Sequence, residues 1–455
     1  MIQAGAVAAM TALAGLSVAT TARAESLYDA LAAAYRDNPE LNAERAKLRA
    51  TDENLPQALA GWRPSVFAGA DAAATHQESV IRGAGRSKSS LNPRGFSITI
   101  SQNLFAGFRT VNSVKQAEAV VRAGREILHN VEQNVLFSAA EAYMNVVRDN
   151  AVVRLQRNNV EVLRQQLRAA QDRFSVGEVT RTDVAQAEAS VALAASDLSA
   201  ADAQLSSSRA VYQQIVGHLP NGVTQPKVVR NVLPRNLNEA TAIADAQHPA
   251  IVASVYLEEA ASHQVDITTG ELLPTFDVEG SYGRRYDPSS SIDRSESAQI
   301  IGRLNVPIYQ AGQTSSRVRQ AKQTKSQRRL EVDLSRRQVR AAVISAWGQY
   351  DAAKAQIRSA QARIEANRIA LNGVQEEAKV GQRTVLDVLN AQQDLLNAQV
   401  AFATAQRDEV VAAYALISAV GKLQAGKLNL PVKLYDPMAN YAAVRNKWFG
   451  LSVSE

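Results

Sequence analysis

The chain has 455 residues, enough for two or three ordinary domains, with a formal net charge of +6 and no cysteine. The lack of cysteine excludes disulfides, thiolate metal sites and cysteine nucleophiles. Basic residues are dispersed among acidic ones, whereas a nucleic-acid footprint is a concentrated basic stripe, so the composition predicts no nucleic-acid partner.

The first 24 residues differ in composition from the rest. Residues 2–22 carry no charged side chain, are rich in alanine and are interrupted by threonine and serine. The stretch closes on Ala22-Arg23-Ala24, a small-x-small cleavage site. We therefore predict that residues 1–24 are a secretory signal peptide, with a membrane anchor as the alternative. No later segment offers the ~20 apolar residues that a membrane-spanning helix needs.

The remaining chain is a duplicated half-protein. Val176-Gly177 followed by Asp183 matches Val380-Gly381 followed by Asp387, at an offset of 204 residues. A period of roughly 200 residues is far longer than a solenoid repeat, so the fold should have internal pseudo-symmetry. The predicted divisions are a first repeat (25–217), a connecting equatorial segment (218–237), a second repeat (238–421) and a C-terminal equatorial segment (422–455).

The first repeat opens with a helix and two strands. The helix covers about residues 26–57 and is predicted to end at Pro56. Apolar and polar residues then alternate with period two over about 64–75 and 96–104, which is the pattern of strands. The basic, glycine- and serine-rich stretch 82–90 is predicted to be the loop between them.

A long helical hairpin completes the first repeat. Its first helix covers about residues 110–174, on the order of 100 Å at 1.5 Å per residue. Its second covers about residues 183–216 and begins with a Thr182-Asp183 cap signal. Steps of three and four residues along the first helix predict coiled-coil packing through Val114, Ala117, Val121, Gly124, Leu128, Val131 and Val135.

The second repeat follows the same order. Strands are predicted around residues 276–282 and 298–308, joined by a turn and loop at 287–291. Helices are predicted over about 314–378 and 384–420. Four strands cannot stand alone in lipid because open sheet edges leave backbone groups unsatisfied, so a spanning sheet must close among subunits. A soluble pair of hairpins is the alternative.

These features together resemble the TolC family of outer-membrane efflux and secretion channels. The resemblance covers residues 25 to about 425, and no single motif decides it, whereas several in the same order twice are specific. The segments that carry it are Trp62-Arg63-Pro64, Leu104-Phe105-Ala106-Gly107, Val176-Gly177-Glu178-Val179, Leu273-Pro274, Pro307-Ile308-Tyr309-Gln310-Ala311-Gly312 and the stretch 380–388.

The resemblance implies a mainly α fold with a β-barrel part. Three identical chains would share a 12-stranded transmembrane β-barrel, continued by a 12-helix periplasmic α-barrel. The protein would lie in the outer membrane of a Gram-negative bacterium, contact its lipid, and extend into the periplasm.

The implied function is an exit duct of a tripartite efflux or type I secretion system. Substrates would come from an inner-membrane pump, such as an RND or ABC transporter, through a periplasmic adaptor (membrane fusion) protein. No catalysis and no cofactor are expected, and the substrate, whether drug, metal, bile salt or polypeptide, is left open. The alternative is a periplasmic coiled-coil adaptor or structural scaffold without a membrane barrel, which would not need lipid-facing strands.

The resemblance also implies a gate at the periplasmic end. In the family, an arginine in the second repeat's turn contacts a threonine and an aspartate of the first, positions that fall at Arg383, Thr182 and Asp183 here. A tyrosine that usually assists is replaced by Ala378. Arg383 and Asp183 should therefore form a weak latch between neighbouring hairpins.

The family's constriction carries two aspartates one helical turn apart. Asp387 matches the first, and Asn390 stands at the second, so the expected acidic ring is halved. A surface helix residue is the alternative interpretation of Asp387. The glycine turns at the ends of the hairpins are predicted to contact the adaptor through Val176, Gly177, Val380 and Gly381.

Other candidate chemistry is weak. No Ser/His/Asp arrangement is evident, and the glycines around residue 84 lack the lysine-serine ending of a phosphate-binding loop. The histidines share no i, i+4 spacing, so no metal site is predicted at His76, His129, His218, His248 or His263.

Overall fold

The computed structural model describes residues 25–83, 85–226 and 231–453; the predicted signal peptide, residues 1–24, lies outside them. The described chain is mainly helical, with one four-stranded sheet and one separate hairpin. Its elements are α1 (Leu27–Asp37), α2 (Pro39–Asp52), α3 (Asn54–Leu59), a 3-10 helix (Ala60–Trp62), β1 (Ser65–Ala72), β2 (Thr75–Ile81), β3 (Gly85–Leu91), β4 (Arg94–Ala106), α4 (Arg109–Ser175), α5 (Arg181–Val216), α6 (Leu237–Gln247), α7 (Pro249–Gly270), β5 (Thr275–Ser289), β6 (Ile292–Asn305), α8 (Gln313–Lys379), α9 (Val385–Ala419) and α10 (Ala439–Val444).

The two long hairpins are confirmed. α4 and α8 each have 67 residues, and α5 and α9 have 36 and 35. At 1.5 Å per residue the longer helices extend about 100 Å. The predicted seam of α4 also packs as expected, since Ala117, Val121, Leu128 and Val135 are buried and the seam residues between them are half-buried.

The predicted single helix over 26–57 is wrong. The chain breaks at Asn38, whose side-chain oxygen accepts the N–H groups of Glu40 and Leu41. Pro39 causes the break, because a proline disfavours helical geometry at the residue before it. The helical chain also continues beyond Pro56 to Leu59. Pro56 stands in the first turn of α3, where its missing N–H leaves no hydrogen bond unmade.

The sheet joins the two repeats. Its order is β1-β4-β5-β6, every pair is antiparallel, and the β4–β5 pair connects the first repeat with the second. Within the described residues, no strand of this chain pairs with the outer edge of β1 or of β6. The sheet therefore presents two open edges.

Register places apolar side chains on one face and mostly polar ones on the other. Val66 pairs with Ile100, Ile100 with Gly280, and Gly280 with Ile300. The apolar face carries Val66, Ala68, Ala70, Phe96, Ile98, Ile100, Val278, Tyr282, Ile300 and Leu304. The opposite face carries Ser65, Phe67, Asp71, Ser97, Thr99, Ser101, Asp277, Glu279, Gln299 and Arg303. The predicted alternation is confirmed.

Three predictions about the limits of strands and loops need correction. Much of the predicted loop 82–90 belongs to β3, which pairs with β2 in a hairpin where Glu78 contacts Arg86 at 2.9 Å and Lys88 at 3.5 Å. These cross-strand ion pairs stabilise a strand whose polar sequence is typical of a loop.

In the second repeat, β5 runs through most of the predicted turn 287–291 and leaves only a tight turn before β6. The predicted strand over 298–308 ends at Asn305, before Pro307, which has no N–H to donate to a ladder.

The core lies halfway along the hairpins. Tyr143, Tyr212 and Tyr414, from α4, α5 and α9, are fully buried there, together with Leu31 of α1. The segment 423–430 adds Leu423, Leu428 and Leu430 to the same core. None of the helices in the described chain is both long and apolar enough to serve as a membrane span.

Candidate functional site at the hairpin tips

Each long helix ends in the same glycine turn. At the first tip, the N–H of Gly177 donates to the carbonyl of Phe174, and that of Glu178 donates to Arg173. At the second, Gly381 donates to Ala378 and Gln382 to Glu377. Both glycines lie in the left-handed region, at φ +81° and +78°, which favours glycine strongly over residues with a Cβ.

A capping box starts the return helix at each tip. At the first tip, the Thr180 hydroxyl accepts the N–H of Asp183 at 3.2 Å, while the Asp183 carboxylate accepts the N–H of Thr180 at 2.8 Å. At the second, Thr384 and Asp387 make the same pair, at 3.2 and 3.0 Å. The predicted Thr182-Asp183 cap is therefore wrong by two residues. Thr182 is an exposed residue of the first helical turn, and Thr180 is the cap.

Asp387 thus has a local structural task besides any role in a pore. Its carboxylate accepts the backbone N–H and, at 2.9 Å, the hydroxyl of Thr384. These two hydrogen bonds, with a smaller contribution from the nearby Arg383 cation, hold the pKa of Asp387 below its ordinary value of 3.8. Asn390, one turn further along α9, is exposed.

Arg383 contacts its own hairpin. Its Nε donates to Glu377 Oε2 at 2.8 Å, and both side chains are about half exposed. Within this chain, Arg383 makes no hydrogen bond to Thr182 or Asp183, so the predicted latch is not formed inside one hairpin pair. An exposed ion pair of this kind contributes little to stability. Glu377 is a partner that sequence reasoning missed.

The two tips lie side by side. A groove of about 700 Å³ between them is lined by Thr180, Asp183, Arg383 and Thr384, among others. Just behind it, Leu389 of α9 packs against Val160, Leu163 and Ala194 of the first hairpin. Val176 and Val380 are each 71% exposed at the ends of the turns. In the part of the chain that is described, no three His, Asp or Glu side chains come together as metal ligands.

The two repeats agree with a known family. The family model described as "Outer membrane efflux protein" matches residues 27–218 and 242–422. The chain belongs to this family. BepC, an outer membrane efflux protein of Brucella suis biovar 1, is 42% identical over 432 residues, covering 94% of this chain and 92% of that protein. Outer membrane protein TolC of Escherichia coli is 23% identical over 435 residues, covering 90% and 86%.

Solved structures agree on the fold. The Campylobacter jejuni CmeC outer membrane channel superposes with a TM-score of 0.79 at 16% identity, covering 92% of this chain and 89% of that one. Vibrio cholerae VceC, an outer membrane protein, gives 0.74 at 18% identity, covering 87% and 96%. At this level of identity the likeness concerns the fold alone.

Family membership decides between the two functional readings of the sequence. This outer membrane efflux protein is an outer-membrane exit duct of efflux or type I secretion, located in the outer membrane of a Gram-negative bacterium and extending into the periplasm. The alternative of a periplasmic adaptor or scaffold is therefore set aside. The sheet, whose apolar side chains share one face, agrees with this conclusion.

Proposed function

We propose that three copies of the chain form one passive duct. The observation that carries this is the sheet itself, four strands with two open edges and one apolar face. Open edges are unsatisfied in lipid, so the sheet must close with other copies. Four strands from each of three chains give a 12-stranded barrel. In each chain the hairpin of α4 and α5 follows β4 and the hairpin of α8 and α9 follows β6, so three chains would supply the twelve helices of the α-barrel.

Cysteine cross-linking tests this closure, because the natural chain has no cysteine. Phe67 of β1 and Gln299, Ile301 and Arg303 of β6 lie on the same face of the sheet. Phe67→Cys, combined in turn with a cysteine at each β6 position, should give disulfide-linked trimers in one register. A disulfide needs Cβ atoms about 3.5–4.5 Å apart, so neighbouring registers should not react.

A matched control pairs Phe67→Cys with Ile300→Cys, which lies on the opposite face and should stay uncross-linked. Cross-links that stop at dimers, or equal reactivity at all positions, would contradict a closed ring of three.

The duct carries out no catalysis and takes its energy from partners. An adaptor and an inner-membrane pump, of the RND or ABC type, would deliver the substrate. Exposed Val176, Gly177, Val380 and Gly381 are the most distant points of two rigid hairpins, which makes them the natural contacts for an adaptor. The choice of pump would then follow from the adaptor, since the tips carry no substrate chemistry.

The same tips form the gate in this proposal. Three copies of Asp387 around a three-fold axis would make a ring of carboxylates, which attracts cations. Asn390, deeper by one turn, would add polarity without charge. Arg383, held by Glu377 inside one chain, lines the same groove as Asp183 and so lies within reach of the first hairpin. The gate would then have two states. Arg383 would bind Glu377 in one state, and Asp183 and Thr182 of the first hairpin in the other.

A further inference from the structure

The segment 445–453 carries a loop with four exposed apolar side chains. Phe449 is 91% exposed, Trp448 is 65% exposed, and Leu451 and Val453 are exposed almost completely. Large apolar side chains that are exposed together, rather than singly, mark a contact surface.

Internal hydrogen bonds give the loop a defined conformation. Lys447 Nζ donates to the carbonyl of Ser452 at 2.5 Å and lies 3.3 Å from its hydroxyl, which closes a short ring. Gly450, at φ +111°, makes the reversal inside it. The lysine thus satisfies the carbonyl of Ser452 within the loop, while the apolar side chains remain exposed. We call residues 447–453 the tail loop.

Two sets of contacts hold the tail loop and the helix before it, α10. In α10, Asn440 donates to Asp52 of α2 at 2.8 Å, and Arg125 of α4 stacks on Tyr441. In the tail loop itself, the carbonyl of Lys447 accepts a hydrogen bond from Arg63 at 2.8 Å, and the Trp448 ring lies 4.8 Å from the Arg63 guanidinium.

Arg63 is two residues before β1. Three residues of extended chain span about 10 Å, so the backbone of Arg63 lies within about 10 Å of Val66, a residue of the apolar face. Gln102, from that face of β4, also reaches down to the carbonyl of Trp62, 3.3 Å away. Exposed Trp62 and the tail loop, which is held through Arg63, therefore both lie at the end of the sheet where β1 begins.

The charges near the tail loop are cationic. Arg63 lies over the Trp448 ring, Arg445 and Lys447 precede Trp448 in the sequence, and residues 445–453 contain no acidic side chain. Aromatic residues with nearby cations are typical of the boundary between lipid acyl chains and headgroups. Phe and Leu would enter the acyl region, and the cations would meet phosphate groups.

We propose that the tail loop binds the periplasmic leaflet of the outer membrane, with phospholipid as its partner. Trp448 and Phe449 would insert at the foot of the barrel, and Arg445 would meet an anionic headgroup. Each chain would then contact the membrane through its tail loop as well as through its strands. The proposal rests on the outer-membrane location of the protein and not on closure by three copies.

Quenching of tryptophan fluorescence by brominated lipid tests the proposal. The chain has three tryptophans, Trp62, Trp347 and Trp448. A variant with Trp62→Phe and Trp347→Phe retains only Trp448. It is purified as the full protein and reconstituted in phosphatidylcholine–phosphatidylglycerol vesicles, with bromine near the headgroup end of the acyl chains. Trp448 should lose most of its emission relative to unbrominated vesicles.

The matched control retains only Trp347, which lies midway along α8 and should keep its emission in the same vesicles. Arg445→Glu, added to the Trp448 variant, should reduce quenching in vesicles containing phosphatidylglycerol. An unquenched, blue-shifted Trp448 would mean that the loop packs on a neighbouring copy, where exposed Ile308 and Tyr309 follow β6. An unquenched, red-shifted Trp448 would mean that it stays in water. Either result overturns the proposal.

Discussion

The two hairpin tips share one backbone and present different side chains. Both turn on a left-handed glycine, and both restart on a Thr-x-x-Asp capping box. The side chains between these fixed points have diverged. Arg383 of the second tip corresponds to Val179 of the first, and its partner Glu377 corresponds to Arg173, at the offset of 204 residues.

This difference separates what the turn needs from what the surface does. Gly177, Gly381 and the two capping boxes satisfy backbone groups, so both copies must keep them. The arginine–glutamate pair satisfies nothing in the backbone and occurs at one tip only. We infer that the second tip carries the gate chemistry, while both tips share the geometry that reaches the adaptor.

The largest expected effect comes from bulk at the shared turns. Gly381→Trp should abolish efflux, because it distorts a left-handed position and blocks the exposed end of the hairpin. Gly177→Trp should do the same if both tips contact the adaptor. Drug susceptibility of complemented cells measures the effect, with trimer content and membrane location unchanged. Gly381→Ala is the control, since it adds strain with little bulk. Full resistance in both tryptophan variants would show that the tips dock nothing.

A smaller effect is expected from the side chains that differ. Arg383→Ser should raise single-channel conductance in planar bilayers, because in the proposed closed gate Arg383 would pair with Asp183 of a neighbouring hairpin. Val179→Ser, at the equivalent place of the first tip, should leave conductance unchanged. Equal conductance changes in both variants would break the assignment of the gate to the second tip.

Ion selectivity is expected to depend on Asp387. Asp387→Ala should lower the preference for cations in the same recordings, since it removes the carboxylates of the proposed ring. Thr384→Ala disturbs the same capping box and retains the carboxylate, so it should keep that preference. If the two variants behave alike, the loss reflects the cap and not the charge.

The pH dependence follows from the lowered pKa of Asp387. The carboxylate stabilises the folded tip above the pKa of the unfolded chain, and this contribution is lost as the pH falls through the lower folded value. Cation preference should therefore persist at about pH 5 and disappear only under stronger acid. Reversal potentials measured over a pH series check this. Loss of preference between neutral pH and pH of about 5 would mean that mutual repulsion in the ring outweighs the cap.

The smallest expected effect is on stability and should be equal at both tips. Thr180→Ala and Thr384→Ala each remove an N-cap hydroxyl, at a cost of about 1 kcal/mol to the local helix start. Hydrogen exchange at the first turns of α5 and α9 should rise by similar factors. Protection that falls at one tip alone would show that the tips differ in backbone stability as well as in side chains.

Much of this fold could be predicted because long-range features have regular patterns. The seam at Val121 and Leu128 and the absence of proline from α4 and α8 predict the hairpins. Alternation around Ile98 and Ile300 predicts the faces of the sheet. The break at Asn38 was also present in the sequence, as the residue before Pro39, but the helical composition on both sides obscured it.

The rest depends on tertiary contacts that no short pattern contains. The hairpin β2–β3 has few apolar residues and is supported by Glu78 across the strands. Arg383 and Glu377 are six residues apart across a turn, a separation that lies outside the usual helical pair spacing. Arg63 and Lys447 are 384 positions apart in the sequence. They come into contact because the C-terminal segment returns along α2. The Thr-x-x-Asp boxes were readable, since Thr180 and Thr384 repeat at the same offset as the glycines.

The mass of the protein extracted from outer membranes in mild detergent tests the central claim most directly. If one duct is shared among chains, the protein component should have the mass of three copies, and dissociation should abolish the sheet signal in circular dichroism. A stable monomer that keeps its full β content would contradict the account, because the edges of β1 and β6 would then be satisfied without a neighbouring copy.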